Sequence, residues 1–182
     1  MLTSAMEPST DDWPALVAAR GREEFVAAFR HPFLLALSGL DAPPPPARTV
    51  RMEGGAQLMA ALMAERRRMA AGEKFPAVLP VRKVQTTFPS MITVGRARNN
   101  DIVVPDALVS KFHAFFRQVD ADWALSDAGS ANGTKVGDVA LVPKGAAEKV
   151  RSGEKITFGV SSFRFVDAAG LWAALHEPDK PV

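Results

Sequence analysis

The spacing of apolar residues divides the chain into a helical first part and a strand-rich second part. Between residues 10 and 40, apolar positions recur every three or four residues, and Phe25, Phe29 and Phe33 follow i, i+4 spacing. This pattern predicts helices with a break near Pro32, and the aromatic stripe favours core packing over a cofactor or partner groove. Residues 53–71 predict another helix, whose terminal arginines favour a solvated face over a nucleic-acid site.

The second part has short apolar runs rich in β-branched residues, separated by turn signals, which is typical of a sandwich or a barrel. Asn132-Gly133 is the strongest turn signal because both residues tolerate positive φ. Residues 168–177 return to a helical pattern, with Leu171, Trp172 and Leu175 placed to pack against the strands. The predicted strands are residues 80–85, 90–96, 101–104, 112–119, 123–126, 134–136, 139–142, 148–150, 155–158 and 162–166.

Four consecutive prolines at residues 43–46 separate the predicted helices of the first part. Such a run cannot continue a helix and favours extended polyproline geometry, so residues 41–48 are predicted to be a linker. A ligand for a proline-recognition module is the alternative. The chain is therefore divided into a helical N-terminal region over residues 1–75, a β domain over 76–167, and a C-terminal helix and tail over 168–182.

The amino-acid composition excludes several kinds of functional site. The 182 residues include no cysteine, which excludes disulfides, thiolate metal sites and cysteine nucleophiles. The three histidines lie too far apart for a local metal-ligand pair, so we expect no metal. With 22 basic and 20 acidic residues, the net charge of +2 gives no case for nucleic acid.

No signal peptide or membrane span is expected, because no apolar run approaches the roughly 18 residues that cross a bilayer. We therefore expect a soluble cytoplasmic protein. The sequence also lacks a P-loop, a Gly-x-Ser-x-Gly elbow and the protein-kinase motifs. These observations predict a protein that is not an enzyme, with no catalytic residues and no cofactor.

Three polar segments occupy positions where loops of the β domain are expected. They are Gly95-Arg96, the segment from Ser110 to His113, and the segment from Gly129 to Thr134. Arg96 offers a planar guanidinium, Ser110 a hydroxyl and a backbone N–H, and Lys111 a mobile point charge. A phosphorylated threonine brings about −1.5 to −2 charges and three acceptor oxygens, which such a donor set suits.

The order, residue types and spacing of these segments resemble the forkhead-associated (FHA) domain, a phosphothreonine-binding β-sandwich. The resemblance runs from about residue 80 to 166 and includes Asn100-Asp101-Ile102, Leu125-Ser126-Asp127 and the segment from Ser152 to Gly159. It implies a mainly β fold, an FHA-type β-sandwich of short strands with an α-helical N-terminal region and a short C-terminal helix. It also implies a preference for phosphothreonine over phosphoserine, since the family fits the threonine methyl group into a small pocket.

The resemblance assigns roles to individual residues. Arg96, Ser110 and Lys111 match the phosphate contacts, and Asn132 matches the residue that grips the peptide backbone. Ala131 stands where many members carry a hydroxyl, so it can supply only its backbone. Leu108 is a candidate contact for peptide residues that follow the phosphothreonine. The residues that match the architecture of the site are Gly95, His113, Ser130, Gly133 and Thr134.

These observations leave two functions open. The first is a phosphothreonine-dependent interaction module whose partners are threonine-phosphorylated products of a Ser/Thr protein kinase. The second is a phosphate-independent assembly scaffold that uses the same fold and the N-terminal helices. Thr3 and Thr10 add a subsidiary hypothesis, since phosphorylation of either would create an internal ligand for the site.

Overall fold

The computed structural model describes residues 13–37 and 78–176. Three helices and eleven strands lie in these residues. The helices are α1 (Trp13–Ala18), α2 (Arg22–Ala28) and α3 (Ala168–His176); the strands are β1 (Phe33–Ala36), β2 (Val78–Pro80), β3 (Ile92–Gly95), β4 (Ile102–Val103), β5 (Ala114–Val119), β6 (Asp122–Asp127), β7 (Thr134–Val136), β8 (Val139–Ala140), β9 (Glu148–Val150), β10 (Lys155–Phe158) and β11 (Ser161–Val166).

The strands form two sheets that pack face to face. The first sheet has the order β2-β1-β11-β10-β7-β8 and the second the order β4-β3-β5-β6-β9. Leu34 and Phe163 of the first sheet meet Val94 and Phe116 of the second in one fully buried core. Two sheets that share an apolar core make a β-sandwich, which confirms the mainly β fold.

A second apolar cluster covers the outer face of the first sheet. On β1, Leu34 points into the sandwich core, whereas its neighbours Phe33 and Leu35 face this outer cluster. Trp13 of α1 and Phe25 of α2 pack there against the two strand residues. The expected core packing of the aromatic stripe is confirmed for Phe25 and Phe33.

The C-terminal helix closes the same cluster. Leu171 of α3 is fully buried in it, and Trp172 and Leu175 pack at its edge. The predicted short C-terminal helix is thus confirmed, and it packs back on the strands as expected.

Two expectations about secondary structure are wrong. The helical pattern of residues 10–40 does not extend through Phe33, because Phe33–Ala36 is a strand that lies between β2 and β11. Pro32 accounts for the change, since its ring disfavours a continuing helix and its carbonyl accepts a hydrogen bond from Val81 N at 2.8 Å. The strand predicted at 80–85 is also misplaced, because β2 ends at Pro80.

Several other expectations lie outside the described residues. They are the linker at 41–48, the helix at 53–71, and the threonines Thr3 and Thr10. Within the described residues, no helix has the length and hydropathy needed to cross a bilayer. No cluster of three or more His, Asp or Glu side chains arranged to bind a metal occurs in 13–37 and 78–176 either.

Candidate functional site

The three polar segments meet at one end of the sandwich. The loop after β3 is tied to the loop before β5, because Arg96 N donates to Ser110 O at 2.9 Å and Ala97 N donates to Lys111 O at 3.2 Å. The loop between β6 and β7 joins them through Ala131, whose N–H donates to Ser110 Oγ at 3.0 Å. The fold therefore joins loops whose residues lie far apart in sequence: Arg96 and Asn132 are separated by 36 positions.

Arg96 follows the last residue of β3 and lies against the neighbouring loop. Its side chain is only 9% exposed, and Nε donates to Val109 O at 3.2 Å. Gly95 permits this arrangement, because a Cβ at this position would lie 2.3 Å from Lys111 O. The neighbouring loop thus holds the Arg96 side chain through the Val109 carbonyl.

Ser110 is half-buried and Lys111 is exposed beside it. The Ser110 hydroxyl accepts the Ala131 N–H, so its own hydrogen remains to be donated to another acceptor. The backbone N–H of Ala131 is used in this contact, and Ala131 acts on the site by orienting Ser110. Its predicted contact with a ligand stays a prediction.

Asn132 lies in the loop between β6 and β7 and is tied to the loop before β5. Its Nδ2 donates to Leu108 O at 2.8 Å. Gly133 follows with φ +78°, a conformation that side-chain-bearing residues rarely adopt. The predicted grip of Asn132 on a peptide backbone stays a prediction.

The expectation that Leu108 contacts a peptide is wrong. Its side chain is 1% exposed, so it belongs to the protein interior. Apolar loop residues gain free energy from burial, and here the loop turns Leu108 inward while the Leu108 carbonyl accepts from Asn132.

His113 bridges two of the loops from the interior. Its Nδ1 accepts the backbone N–H of Ser110 at 2.9 Å, and its Nε2 lies 3.0 Å from Gly133 O. A carbonyl can only accept, so the hydrogen must reside on Nε2 and the ring is neutral. Burial lowers the pKa of His113, although the Gly133 carbonyl and the carboxylates of Asp127 and Asp106 oppose the shift.

Asp127, at the end of β6, organises the loop that carries Asn132. One carboxylate oxygen accepts the N–H groups of Gly129 and Ser130, and the other accepts the hydroxyls of Ser130 and Thr134, each at 2.6 Å. Burial alone would raise the pKa of Asp127, but these hydrogen bonds outweigh it and lower the pKa. Ser130 and Thr134 therefore stabilise the loop through their hydroxyl groups.

The sequence places Asp127 in the Leu125-Ser126-Asp127 motif but does not by itself show that this residue organises the loop. The sequence does carry a signal for this role. An aspartate favours an Asx turn, in which its carboxylate accepts the N–H of the residue two positions later, here Gly129. The N–H of Ser130, three positions later, donates to the same oxygen.

Two further aspartates, whose supporting roles sequence reasoning does not find, hold the loops through hydrogen bonds. Asp106 accepts Leu108 N at 2.9 Å and the Ser161 hydroxyl at 2.6 Å, which ties the loop before β5 to β11. Asp101 accepts from Lys83 Nζ at 2.8 Å and from the hydroxyl and N–H of Thr93. Burial alone would raise the pKa of Asp101, but the hydrogen bonds hold it well below the usual range.

The arrangement suits one compact oxyanion. Arg96, the Ser110 hydroxyl and the exposed Lys111 supply donors from two loops that are already tied together. Because hydrogen bonds between protein groups already tie these loops together, binding would cost little reorganisation of the backbone.

Comparison with known proteins places the same region in a family. The FHA domain family matches residues 92–159. An oxoglutarate dehydrogenase inhibitor of Corynebacterium efficiens is 31% identical over 147 residues, which is 81% of this chain and 89% of the relative. An oxoglutarate dehydrogenase inhibitor of Corynebacterium diphtheriae is 35% identical over 75 residues, 41% of this chain and 50% of the relative.

Among solved structures, the chain is similar to the FHA domain of an Arabidopsis thaliana hypothetical protein. The two are 22% identical with a TM-score of 0.48, and the match covers 76% of this chain and 86% of the other. The FHA domain of the Chlamydia trachomatis CT664 protein is 18% identical with a TM-score of 0.45, covering 75% and 97% of the two chains.

Proposed function

Because the chain belongs to the FHA-domain family, we propose that it is a binding module that recognises phosphorylated threonine in partner proteins. The observation that carries the proposal is the setting of Ser110. Its hydroxyl accepts the Ala131 N–H and keeps its own hydrogen for a ligand, one residue from exposed Lys111 and beside Arg96. Charge-assisted hydrogen bonds from such donors to phosphate are the strong ones.

The partners are threonine-phosphorylated products of a Ser/Thr protein kinase in the cytoplasm, and the chain carries out no reaction on them. The function resides in Arg96, Ser110 and Lys111 for the phosphate and in Asn132 for the peptide backbone, while the backbone of Ala131 supports Ser110. The buried histidine at 113 acts as a support for the loops, since both of its ring nitrogens are engaged within the protein.

Calorimetry with one peptide in three forms tests the proposal. The threonine-phosphorylated form should bind, the phosphoserine form should bind more weakly, and the unphosphorylated form should not bind. Ser110→Ala and Arg96→Lys should each weaken binding by about 10- to 100-fold, because each removes a hydrogen bond to a charged group.

Matched variants separate the site from the fold. Ser162→Ala on β11 and Arg151→Lys, which is exposed, change the same residue types away from the site and should leave binding unchanged. Equal affinity for the phosphorylated and unphosphorylated peptides would contradict the proposal.

A second candidate function is inhibition of oxoglutarate dehydrogenase by direct binding, without phosphate. The relative with 31% identity over most of this chain is named for that inhibition, which favours the candidate. Dehydrogenase activity should then fall when the chain is added to phosphatase-treated enzyme. Inhibition that disappears after phosphatase treatment, or in Ser110→Ala alone, would instead support phosphothreonine recognition.

A further inference from the structure

A row of aromatic side chains begins next to the phosphate-binding loop. We call Phe88, Phe112, Phe115 and Arg117 the aromatic strip. The rings of Phe88 and Phe112 are stacked with centroids 6.1 Å apart and 7° between their planes, and Phe112 stacks on Phe115 at 6.2 Å. The Arg117 guanidinium lies 4.9 Å from the centre of the Phe115 ring.

The strip lies on the solvent side of the second sheet. Phe116 on β5 is fully buried in the core, so its neighbours Phe115 and Arg117 point to the opposite face. Phe88 is 49% exposed and Phe112 is 39% exposed. Contiguous exposed aromatic surface is unusual on a monomer and commonly marks an interaction site.

The backbone at Phe88 adds an independent observation. Its φ is +86°, which is strained for a bulky side chain, and the Phe88 carbonyl accepts Met91 N at 3.2 Å. Residues in such conformations cluster at functional sites. Here the strained conformation places an exposed ring on Phe112 rather than in the core.

Cavities lie on both sides of Phe112. One of about 170 Å³ is lined by Phe88, Asn100, Lys111 and Phe112 among others. The other, of about 230 Å³, is lined by Phe112, Phe115, Ser126 and Lys144 among others. Each is large enough for one side chain rather than for an extended ligand.

The charge around the strip is positive. Lys111, Arg117 and Lys144 are all exposed there. Asp127 lines one cavity, but both of its carboxylate oxygens accept hydrogen bonds from its own loop. The surface thus favours an occupant that is apolar where it meets the rings and acidic beside them.

We propose that the aromatic strip is a second contact surface for the phosphorylated partner and holds an aromatic or large aliphatic side chain with acidic neighbours. The proposal rests on the function proposed above, because the strip is continuous with the phosphate site. Phe112 follows Ser110 by two residues, so their Cα atoms are at most about 7 Å apart. An extended partner segment reaches the strip within about two to four residues of the phosphothreonine.

A synthetic phosphothreonine peptide array tests this assignment. Each of the four positions on either side of the phosphothreonine is varied in turn, with and without an adjacent glutamate. The wild-type chain should prefer Phe or Leu over Ala at one of these positions by about fivefold. Phe88→Ser and Phe112→Ser should each remove that preference and still bind the phosphothreonine peptide carrying Ala.

Val119→Ser is the matched control, because Val119 is an exposed apolar residue on the same strand as Phe115 and lies outside the strip. It should retain the preference. Thermal unfolding of each variant verifies the fold. Failure of the wild type to bind any phosphothreonine peptide overturns the proposed function as well as this one. Phosphothreonine binding without the preference, or a preference that survives both phenylalanine variants, overturns the strip alone.

Discussion

At the scale of single residues, the site depends on side chains that face inward. His113 holds the Ser110 N–H and the Gly133 carbonyl with its two ring nitrogens, and Asp127 holds four donors of the Asn132 loop. The residues offered to a ligand are positioned by these buried groups. The neutral state of His113 is therefore a condition for the geometry of the site, because a proton on Nδ1 would oppose the Ser110 N–H.

Because His113 must be neutral in the folded protein, we expect the free energy of unfolding to fall in mild acid. The pKa of His113 is lowered by burial, whereas the unfolded chain takes up the proton near 6.5. Below that pH the unfolded state binds more protons, so the free energy of unfolding should fall by up to about 1.4 kcal/mol per pH unit. A further loss should begin below about pH 4, since Asp127 and Asp101 have lowered pKa values and stabilise only while ionised.

Urea unfolding between pH 8 and pH 3 measures both effects, and NMR of the imidazole nitrogens reports the state of His113 directly. Replacing the exposed His176 with Gln should leave the profile unchanged. An unfolding free energy that stays constant from pH 7 to 5 would contradict the assignment, as would a His113 ring that carries its hydrogen on Nδ1.

At the scale of elements, the proposed phosphate site depends on how closely the end of β3 approaches the loop before β5. Ala97 N donates to Lys111 O at 3.2 Å, and Asn100 Nδ2 donates to the same carbonyl at 2.7 Å. Gly95 lies directly under these contacts. The absence of a side chain at this position allows the two loops to approach closely enough for Arg96 N to donate to Ser110 O at 2.9 Å.

Gly95→Ala should therefore be costly, by about 2–3 kcal/mol in unfolding free energy, because its Cβ would lie 2.3 Å from Lys111 O. Phosphothreonine peptide binding should weaken as well, since the backbone that carries Lys111 must move. Chemical denaturation and calorimetry measure the two effects.

Gly21→Ala provides the comparison, since a Cβ at Gly21 meets nothing within 4 Å and its φ is −67°. Gly21 is the N-cap of α2, where Gly is preferred over Ala, so the variant should lose up to about 1 kcal/mol of stability, less than Gly95→Ala. Similar losses in the two variants would contradict the role given to Gly95.

Strand positions in the second half were predictable from the sequence because turn residues separate them clearly. Phe33–Ala36 was not, since four successive buried residues show no two-residue alternation and Phe33 continues the spacing of a helix. Leu108 was misassigned because residue type alone does not say which way a loop side chain points. The motif residues can be identified from sequence because their spacing resembles that of a known family. The hydrogen bonds of Asp127 become visible only in the folded structure.

At the scale of the whole molecule, the sandwich includes a strand from the N-terminal region. β1 lies between β2 and β11, and its pairs join Leu35 to Val78 and Phe33 to Val166. A boundary at residue 75 would separate β1 from the sheet that it completes. The outer cluster of Trp13, Phe25 and Leu171 depends on the same strand.

A chain of residues 78–182 should consequently fail to unfold cooperatively, because removing β1 leaves β11 without a partner on one side and opens both apolar clusters. Circular dichroism during urea titration measures cooperativity. Adding a synthetic peptide of residues 13–37 should restore a transition. Cooperative unfolding of 78–182 alone, with the stability of the full chain, would show that 76–167 is a self-sufficient domain.

The pairing of Leu35 with Val78 has a consequence for the 40 residues between Leu37 and Val78. Leu37 follows β1 and Val78 begins β2, which pair with each other, so the covalent connection raises the effective concentration of β1 at its docking edge. A flexible sequence inserted between β1 and β2 would cost only about 0.6 kcal/mol of stability for each doubling of the length of the connection. The sandwich should therefore tolerate an inserted sequence between β1 and β2 at little cost in stability.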